Sequence, residues 1–306
     1  MMADAALESL LPSDLRSIEP DQSKRTIPKL ARDPRFVSEM RQSLSDFKTE
    51  HKVVLGDARH ERIAKSSVHL VVTSPPYWTL KAYPDRPGQL GQIQDYDEFM
   101  AGLKQVWESC YDGLVPGGRL VCVVGDVCLS RRQNGGRHTV IPLHASIQTQ
   151  CIDLGFDNLA PIIWHKIGNI QREAASNGSY LGKPFEPNGI IKNDIEYVLM
   201  LRKPGGYRSP DMAARLLSVI SAEEHNLWFR QIWKDVPGES TRRHPAPFPV
   251  ELAYRLIRMF SFVGDTVFDP FTGTATTQVA AQQAGRHSIG IEIEPEYHTI
   301  ATERLE

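Results

Sequence analysis

Near the end of this 306-residue chain, Thr266-Val267-Phe268-Asp269 reads as a short strand. It runs through Pro270-Phe271-Thr272-Gly273-Thr274-Ala275-Thr276-Thr277, a turn rich in Thr and Gly, into a helical segment at 278–283. After Ala284-Gly285-Arg286 a second strand, 288–294, ends in acid. This is a βαβ unit, and it constrains the fold more than any other feature. Its strands must be parallel, and parallel sheets are covered by helices on both faces. The expected class is therefore α/β, a doubly wound, mostly parallel twisted sheet.

The same unit carries the physics of nucleoside recognition. Gly273 lets backbone approach a ligand closely, and the free N–H groups of the turn and helix N-terminus favour an anion. Glu292 lies 292 − 269 = 23 positions after Asp269, near the roughly 20-residue offset at which an acid meets ribose hydroxyls in such folds. Ala275 stands where a dinucleotide-binding loop would usually have glycine, so a pyrophosphate is not the obvious ligand. Asp269 argues the same way, because a carboxylate repels phosphate and welcomes an ammonium. A nucleoside bearing an amino acid fits better than a dinucleotide.

Almost two hundred residues earlier, the apolar run Val68-His69-Leu70-Val71-Val72 reads as a buried strand. Thr73-Ser74-Pro75-Pro76-Tyr77-Trp78 then stops it, because proline cannot donate to a ladder and pushes the preceding residue to an extended conformation. The chain leaves the strand end presenting a hydroxyl, a carbonyl and two aromatic faces. Ligands of open α/β sheets bind at the carboxyl ends of strands, so this segment suits a planar ring with an amino group held edge-on by oxygen acceptors.

These segments resemble the AdoMet-dependent DNA amino-methyltransferases of the β class, and Ser-Pro-Pro-Tyr resembles their cytosine-N4 members. Asp269-Pro270-Phe271-Thr272-Gly273-Thr274-Ala275-Thr276-Thr277 matches the family's AdoMet-binding loop except at Ala275. The resemblance implies that Asp269, Phe271, Gly273, Thr274 and Thr276 hold S-adenosyl-L-methionine and that Glu292, in Gly290-Ile291-Glu292-Ile293-Glu294-Pro295-Glu296-Tyr297, holds its ribose. His244-Pro245-Ala246-Pro247-Phe248-Pro249, followed by a helix over 250–260, resembles the segment beside the cofactor's methionine end, which implicates Phe248. Asp57, in Leu55-Gly56-Asp57-Ala58-Arg59, resembles the acid facing the adenine, and 114–124 resembles the turn and strand after the catalytic loop. The matches cover most of 50–306. Their order, catalytic loop first and cofactor loop last, is the β-class circular permutation.

The same resemblance gives the catalytic roles. The exocyclic amine of cytosine is a poor nucleophile because its lone pair is delocalised into the ring. Ser74 and the Pro75 carbonyl, in the stiff loop closed by Pro76, would accept hydrogen bonds from that amine and aim its lone pair at the methyl donor. Alignment of this kind is worth several kcal/mol. Tyr77 would stack on the flipped base, helping to offset the few kcal/mol of unstacking, and Trp78 would either extend that wall or pack inward. Asp126, after the 121–124 strand, is read first as a loop-ordering residue rather than a proton relay.

Composition fits an intracellular enzyme. No apolar run approaches membrane-span length and no signal pattern opens the chain, so a cytoplasmic location is expected. Cys110, Cys122, Cys128 and Cys151 show no paired metal-ligand spacing, and no metal is expected. None of them follows a proline, which disfavours cytosine-C5 chemistry. Net charge is −2, unpromising for a DNA binder, yet 131–215 holds eleven Lys or Arg against seven Asp or Glu, a local balance of +4. Arg131, Arg132 and Arg137 form a basic loop that points to double-stranded DNA as the partner. A homodimer and a cognate restriction endonuclease are expectations by analogy.

Residues 1–48 read as an N-terminal arm or partly ordered lead and 49–306 as the methyltransferase domain. Two paired strands are expected at 161–166 and 196–202. Target-recognition insertions are assigned to 167–195 and 203–243; the ordinary alternative is that Trp228 and Trp233 are core residues. The competing functions are an adenine-N6 enzyme of the same class, in which Asp or Asn normally replaces Ser74, and an inactive AdoMet- or DNA-binding relative. A small-molecule or RNA methyltransferase has less behind it.

Overall fold

The strands are β1 (His51–Leu55), β2 (Val68–Thr73), β3 (Leu114–Val124), β4 (Val127–Leu129), β5 (Thr139–Ile141), β6 (Asp157–His165), β7 (Ile195–Arg202), β8 (Ile232–Trp233), β9 (Thr266–Asp269) and β10 (His287–Glu292). This computed structural model describes residues 2–13, 15–16, 20–80, 83–132, 134–166, 191, 193–239 and 248–306. Among them, eight strands pair in the order β1-β10-β9-β2-β3-β7-β6-β8. All neighbours from β1 to β3 are parallel, β7 runs antiparallel to both β3 and β6, and β8 is parallel to β6. One strand is thus reversed in a mostly parallel sheet.

Side-chain alternation builds a core on each face. On β3, Leu120, Cys122 and Val124 enter one core with Phe99, Leu103 and Trp107 of the helix Tyr96–Gly113. Val121 and Val123 enter the other with Leu252, Leu256 and Ile257 of the helix Val250–Phe260. Central β2 is nearly continuously buried, as a strand covered on both faces must be.

The permutation appears as topology. From β2 the chain crosses to β3 through the helix Tyr96–Gly113; from β9 it crosses the opposite way to β10 through the helix Thr276–Gln283. The two helices lie in opposite cores, as right-handed crossovers running in opposite directions require. The junction of β9 and β2 is therefore a switch point, where the strand ends open a crevice. First strand β1 pairs in parallel with last strand β10, Leu55 opposite Glu292.

Where described, the first forty-eight residues are not a free arm. Leu7, Leu11, Phe36, Val37 and Met40 are buried with Ala213, Leu216, Leu217 and Val263; their apolar spacing gives the helices of this lead a face to bury. The expected strand pair is β6 with β7. Within 203–243, Trp233 of β8 is fully buried and Trp228 nearly so, both in the second core, while Phe229 is about half exposed. The ordinary reading holds for these two tryptophans. Of the other assigned insertion, 167–190 and Lys192 lie outside the described residues, as do 240–247, which include Arg242, Arg243 and the segment 244–247. No helix among the described residues is long and apolar enough to cross a membrane.

Candidate active site

At the switch point lies an open cavity enclosing about 590 Å³ of non-atom space, part of it open solvent. The ends of four strands reach it: Asp57 after β1, Ser74 and Pro76 after β2, Phe271 and Gly273 after β9, and Glu292 closing β10. Tyr83, Gly88, Leu90 and Tyr297 complete the wall. Six of the residues expected to form the site thus share one cavity despite their separation in sequence.

Glu292 is 7 % exposed, and its carboxylate accepts from Gly273 N at 2.7 Å and Glu294 N at 2.8 Å. Burial pushes its carboxyl up to about 7, against the opposing pull of these N–H bonds. Asp57, just past the end of the neighbouring strand β1, accepts from Arg59 Nε at 3.0 Å and Nη2 at 2.6 Å. Burial raises that carboxyl, but the Arg59 bonds and charge outweigh it and hold the group below its ordinary value. Gly88 closes the rim at φ +90°, where a Cβ would stand 3.0 Å from Asp57 Oδ2 and from Ile293 Cδ1. Two carboxylates flanking apolar walls fit a nucleoside carrying an amino acid.

Asp269 sits elsewhere. It is 1 % exposed and absent from the cavity wall. Its oxygens accept from Thr73 Oγ1 at 2.7 Å, Thr277 Oγ1 at 2.7 Å and Phe271 N at 3.0 Å. Burial pushes its carboxyl up to about 6, with the Thr277 and Thr73 hydroxyls pulling down. In this arrangement Asp269 ties the end of β2 to the turn after β9, fixing one loop against the other.

Ala275 adopts φ +66° and is fully buried. The turn requires a left-handed residue here, at a cost of about 1–2 kcal/mol for a side chain with Cβ, and its methyl points into protein rather than the cavity. Thr274 accepts from Arg304 Nη1 through Oγ1 at 3.2 Å, and Thr276 opens the helix; neither is on the cavity wall. Phe248 packs in the second core at 8 % exposure, also off the wall.

The loop after β2 is tightly held. Pro75, Pro76 and Tyr77 are buried, and Ser74 is half-buried. Tyr77 Oη lies 3.1 Å from Ser74 Oγ and donates to Glu196 Oε2 at 3.2 Å. Trp78 follows at φ +45°, a left-handed conformation that a bulky residue rarely adopts. Its ring meets Tyr96 edge-on at 5.1 Å, and its buried indole N–H has no partner among the described residues. Asp126 Oδ1 bonds His144 Nδ1 at 2.6 Å, and His144 stacks on Tyr197 at 3.8 Å, so Asp126 orders the start of the next helix. β4 and β5 form a hairpin lying against the turn after Tyr77. Its tip, positive-φ Gly135 and Gly136, carries the exposed Arg131, Arg132 and Arg137.

Tyr83, Gly88, Leu90 and Tyr297 were missed as wall residues, as were Lys166 and Glu196 behind Tyr77. Tyr297 lies in the motif around Glu292, and Lys166 and Glu196 lie in the two expected strands; Tyr83, Gly88 and Leu90 lie in no segment singled out from the sequence.

Comparisons with known proteins agree with this geometry. Residues 68–303 match the family of N6/N4 methyltransferases described as DNA methylases. The chain is 36 % identical to the type II methyltransferase M.MjaI of Methanocaldococcus jannaschii, over 85 % of this chain and 92 % of that one. It superposes at a TM-score of 0.69 and 52 % identity on TTHA0409 of Thermus thermophilus, assigned to the DNA modification methylases and crystallised with S-adenosyl-L-methionine; the match covers 83 % and 92 % of the two chains. The cytosine-N4-specific PvuII DNA methyltransferase, at 20 % identity and a TM-score of 0.61 over 85 % and 87 %, shares the fold. With three-quarters of its length inside the family match, and the cavity where the fold places ligands, this chain belongs to the N6/N4 methyltransferase family of DNA methylases.

Proposed function

We propose that this protein transfers a methyl group from S-adenosyl-L-methionine to the exocyclic N4 amine of cytosine in double-stranded DNA. The observation that carries this reading is the position of Ser74: a neutral hydroxyl at the end of β2, on the cavity wall and hydrogen-bonded to Tyr77. An amine needs acceptors, and a short serine with the adjoining Pro75 carbonyl supplies them without introducing charge.

The cofactor belongs in the cavity. Glu292 would accept from ribose hydroxyls, Asp57 would face the adenine, and Phe271, Gly273 and Tyr297 would wall the nucleoside. When bound, the sulfonium supplies an activated methyl group, so that a C–N bond forms as an S–C bond breaks and nitrogen's surplus proton passes to water. The chain's own work is alignment. Ser74 and Pro75 hold the amine edge-on, Asp269 fixes the Ser74 loop against the Phe271 turn, and the arginine hairpin grips phosphates beside the flipped base. A restriction endonuclease companion, a cytoplasmic location and a homodimer accompany this reading.

Ser74→Ala tests it. Turnover should fall severely while S-adenosyl-L-methionine affinity, measured by calorimetry, stays near wild type. Equal loss of both would make Ser74 structural and remove the reading's support.

A further inference from the structure

Behind Ser74 runs a line of hydrogen bonds that leads away from the cavity. Lys166 Nζ, just past β6, donates to Glu196 Oε1 at 2.9 Å, and Glu196 Oε2 accepts from Tyr77 Oη at 3.2 Å. Tyr77 Oη lies 3.1 Å from Ser74 Oγ. Glu196 stands near the start of β7, and because β7 alone runs antiparallel to β3, its first residues meet the carboxyl ends of the other strands. Gly125 keeps the corner open: a Cβ there would come within 3.3 Å of Glu196 Cγ and 3.5 Å of Tyr77 Cε2.

A phenol has one proton to give. Three acceptors stand near Tyr77 Oη: Ser74 Oγ, Glu196 Oε2 and the Val123 carbonyl at 3.4 Å. A carboxylate is the strongest acceptor of the three, so the proton goes to Glu196. Burial and the neighbouring Glu196 charge push the Tyr77 phenol well above its ordinary value, keeping it a donor. The oxygen of Tyr77 is then left to accept, and the nearby Ser74 hydroxyl gives its proton to it. Ser74 consequently faces the cavity with lone pairs only.

We propose that Glu196, clamped by Lys166, is a positioning residue that fixes Ser74 as a hydrogen-bond acceptor through Tyr77, and so makes the pocket select an amino group over a carbonyl. This rests on the amine-methylating role given to Ser74 above. It also gives Tyr77 a task that does not depend on its ring facing a base.

The test uses the full-length protein with unmethylated genomic DNA at saturating S-adenosyl-L-methionine. It compares kcat and KM for wild type, Glu196→Gln, Tyr77→Phe and the double variant, with cofactor affinity as the check of folding. Glu196→Gln can present its NH₂ to Tyr77 and reverse the line, so kcat should fall on the order of 10–100-fold with cofactor affinity unchanged. In the Tyr77→Phe background the same change should add less than about twofold, because the connecting hydroxyl is gone. A merely structural Glu196 would give equal losses in both backgrounds, and that result, or an unchanged kcat in Glu196→Gln, overturns the proposal. Should Glu196→Gln fail to fold, Lys166→Met, at a one-third-exposed side chain, must lower kcat, and again only when the Tyr77 hydroxyl is present. Nucleoside analysis of the wild-type product separates the two readings. N6-methyladenine would overturn the cytosine assignment and leave the relay standing, since either amine needs an acceptor. No methylated base would overturn both.

Discussion

Glu292→Gln probes the cavity at a carboxyl that burial strongly perturbs. Burial carries the Glu292 carboxyl from its ordinary 4.5 up to about 7. Each pKa unit is worth about 1.36 kcal/mol, so ionised Glu292 weighs against the folded state by roughly 3 kcal/mol. The sign follows from proton binding: between about pH 4.5 and 7 the folded chain holds this proton and the unfolded chain has released it. Stability from this group is therefore present at low pH and is lost as pH rises through 7. Glutamine does not titrate, although its NH₂ must face one of the two backbone N–H groups that Glu292 now satisfies, a cost of about 1–3 kcal/mol at every pH. The difference in unfolding free energy, variant minus wild type, should thus climb by roughly 3 kcal/mol from pH 5 to pH 8, measured by urea denaturation of the cofactor-free proteins. The same variant at pH 8 should bind S-adenosyl-L-methionine about 10–100-fold more weakly, the worth of a hydrogen bond to a charged acceptor. A difference that stays flat across this pH range would refute the reasoning about burial, and unchanged affinity would remove Glu292 from the ribose site.

Three further outcomes follow from particular contacts. Gly290→Ala would place a Cβ 2.1 Å from Thr272 Oγ1 and 2.6 Å from Gln278 Nε2; the forced shift should cost about 1–3 kcal/mol, and an unaltered melting temperature would contradict the packing. Trp233→Ala should cost about 3–5 kcal/mol in a denaturant melt, since the ring is fully buried and its N–H donates to the Trp228 carbonyl; normal stability with altered DNA site preference would instead make it a reading residue. Replacing Arg131, Arg132 and Arg137 together by alanine should weaken DNA binding and reduce the slope of log K against log salt by about 2–3. The same slope in both proteins would place the hairpin away from DNA.

The sheet and its switch point were legible because they depend on local signals. The Thr266–Asp269 and His287–Glu292 strands flank a Thr- and Gly-rich turn, and the apolar run before Ser74, short and stopped by two prolines, reads as a covered strand. From these, Ser74, Gly273 and Glu292 follow as neighbours, and the family resemblance adds Asp57 and Phe271. Asp269 shows where spacing stops informing. It does stand at a strand end, but its carboxylate is taken by Thr73, 196 residues away in sequence, and no local pattern records that contact. Gly88 and Tyr83 come from a segment without periodicity, placed by contact with Asp57 and by packing. Lys166 and Glu196 meet because the β6–β7 ladder, after its shift between Leu159 and Ile162, sets Trp164 opposite Glu196, and a slip of one residue would have turned Glu196 to the other face. The lead before residue 49 reads as unstructured because each of its helices is short and buries its apolar side against a distant stretch, 212–219 with Phe262 and Val263.

The most direct measurement is mass spectrometry of nucleosides from unmethylated genomic DNA after incubation with the protein and S-adenosyl-L-methionine. The expected product is N4-methylcytosine. N6-methyladenine would overturn the cytosine assignment, and no methylated base from protein that binds the cofactor would contradict the role assigned to Ser74.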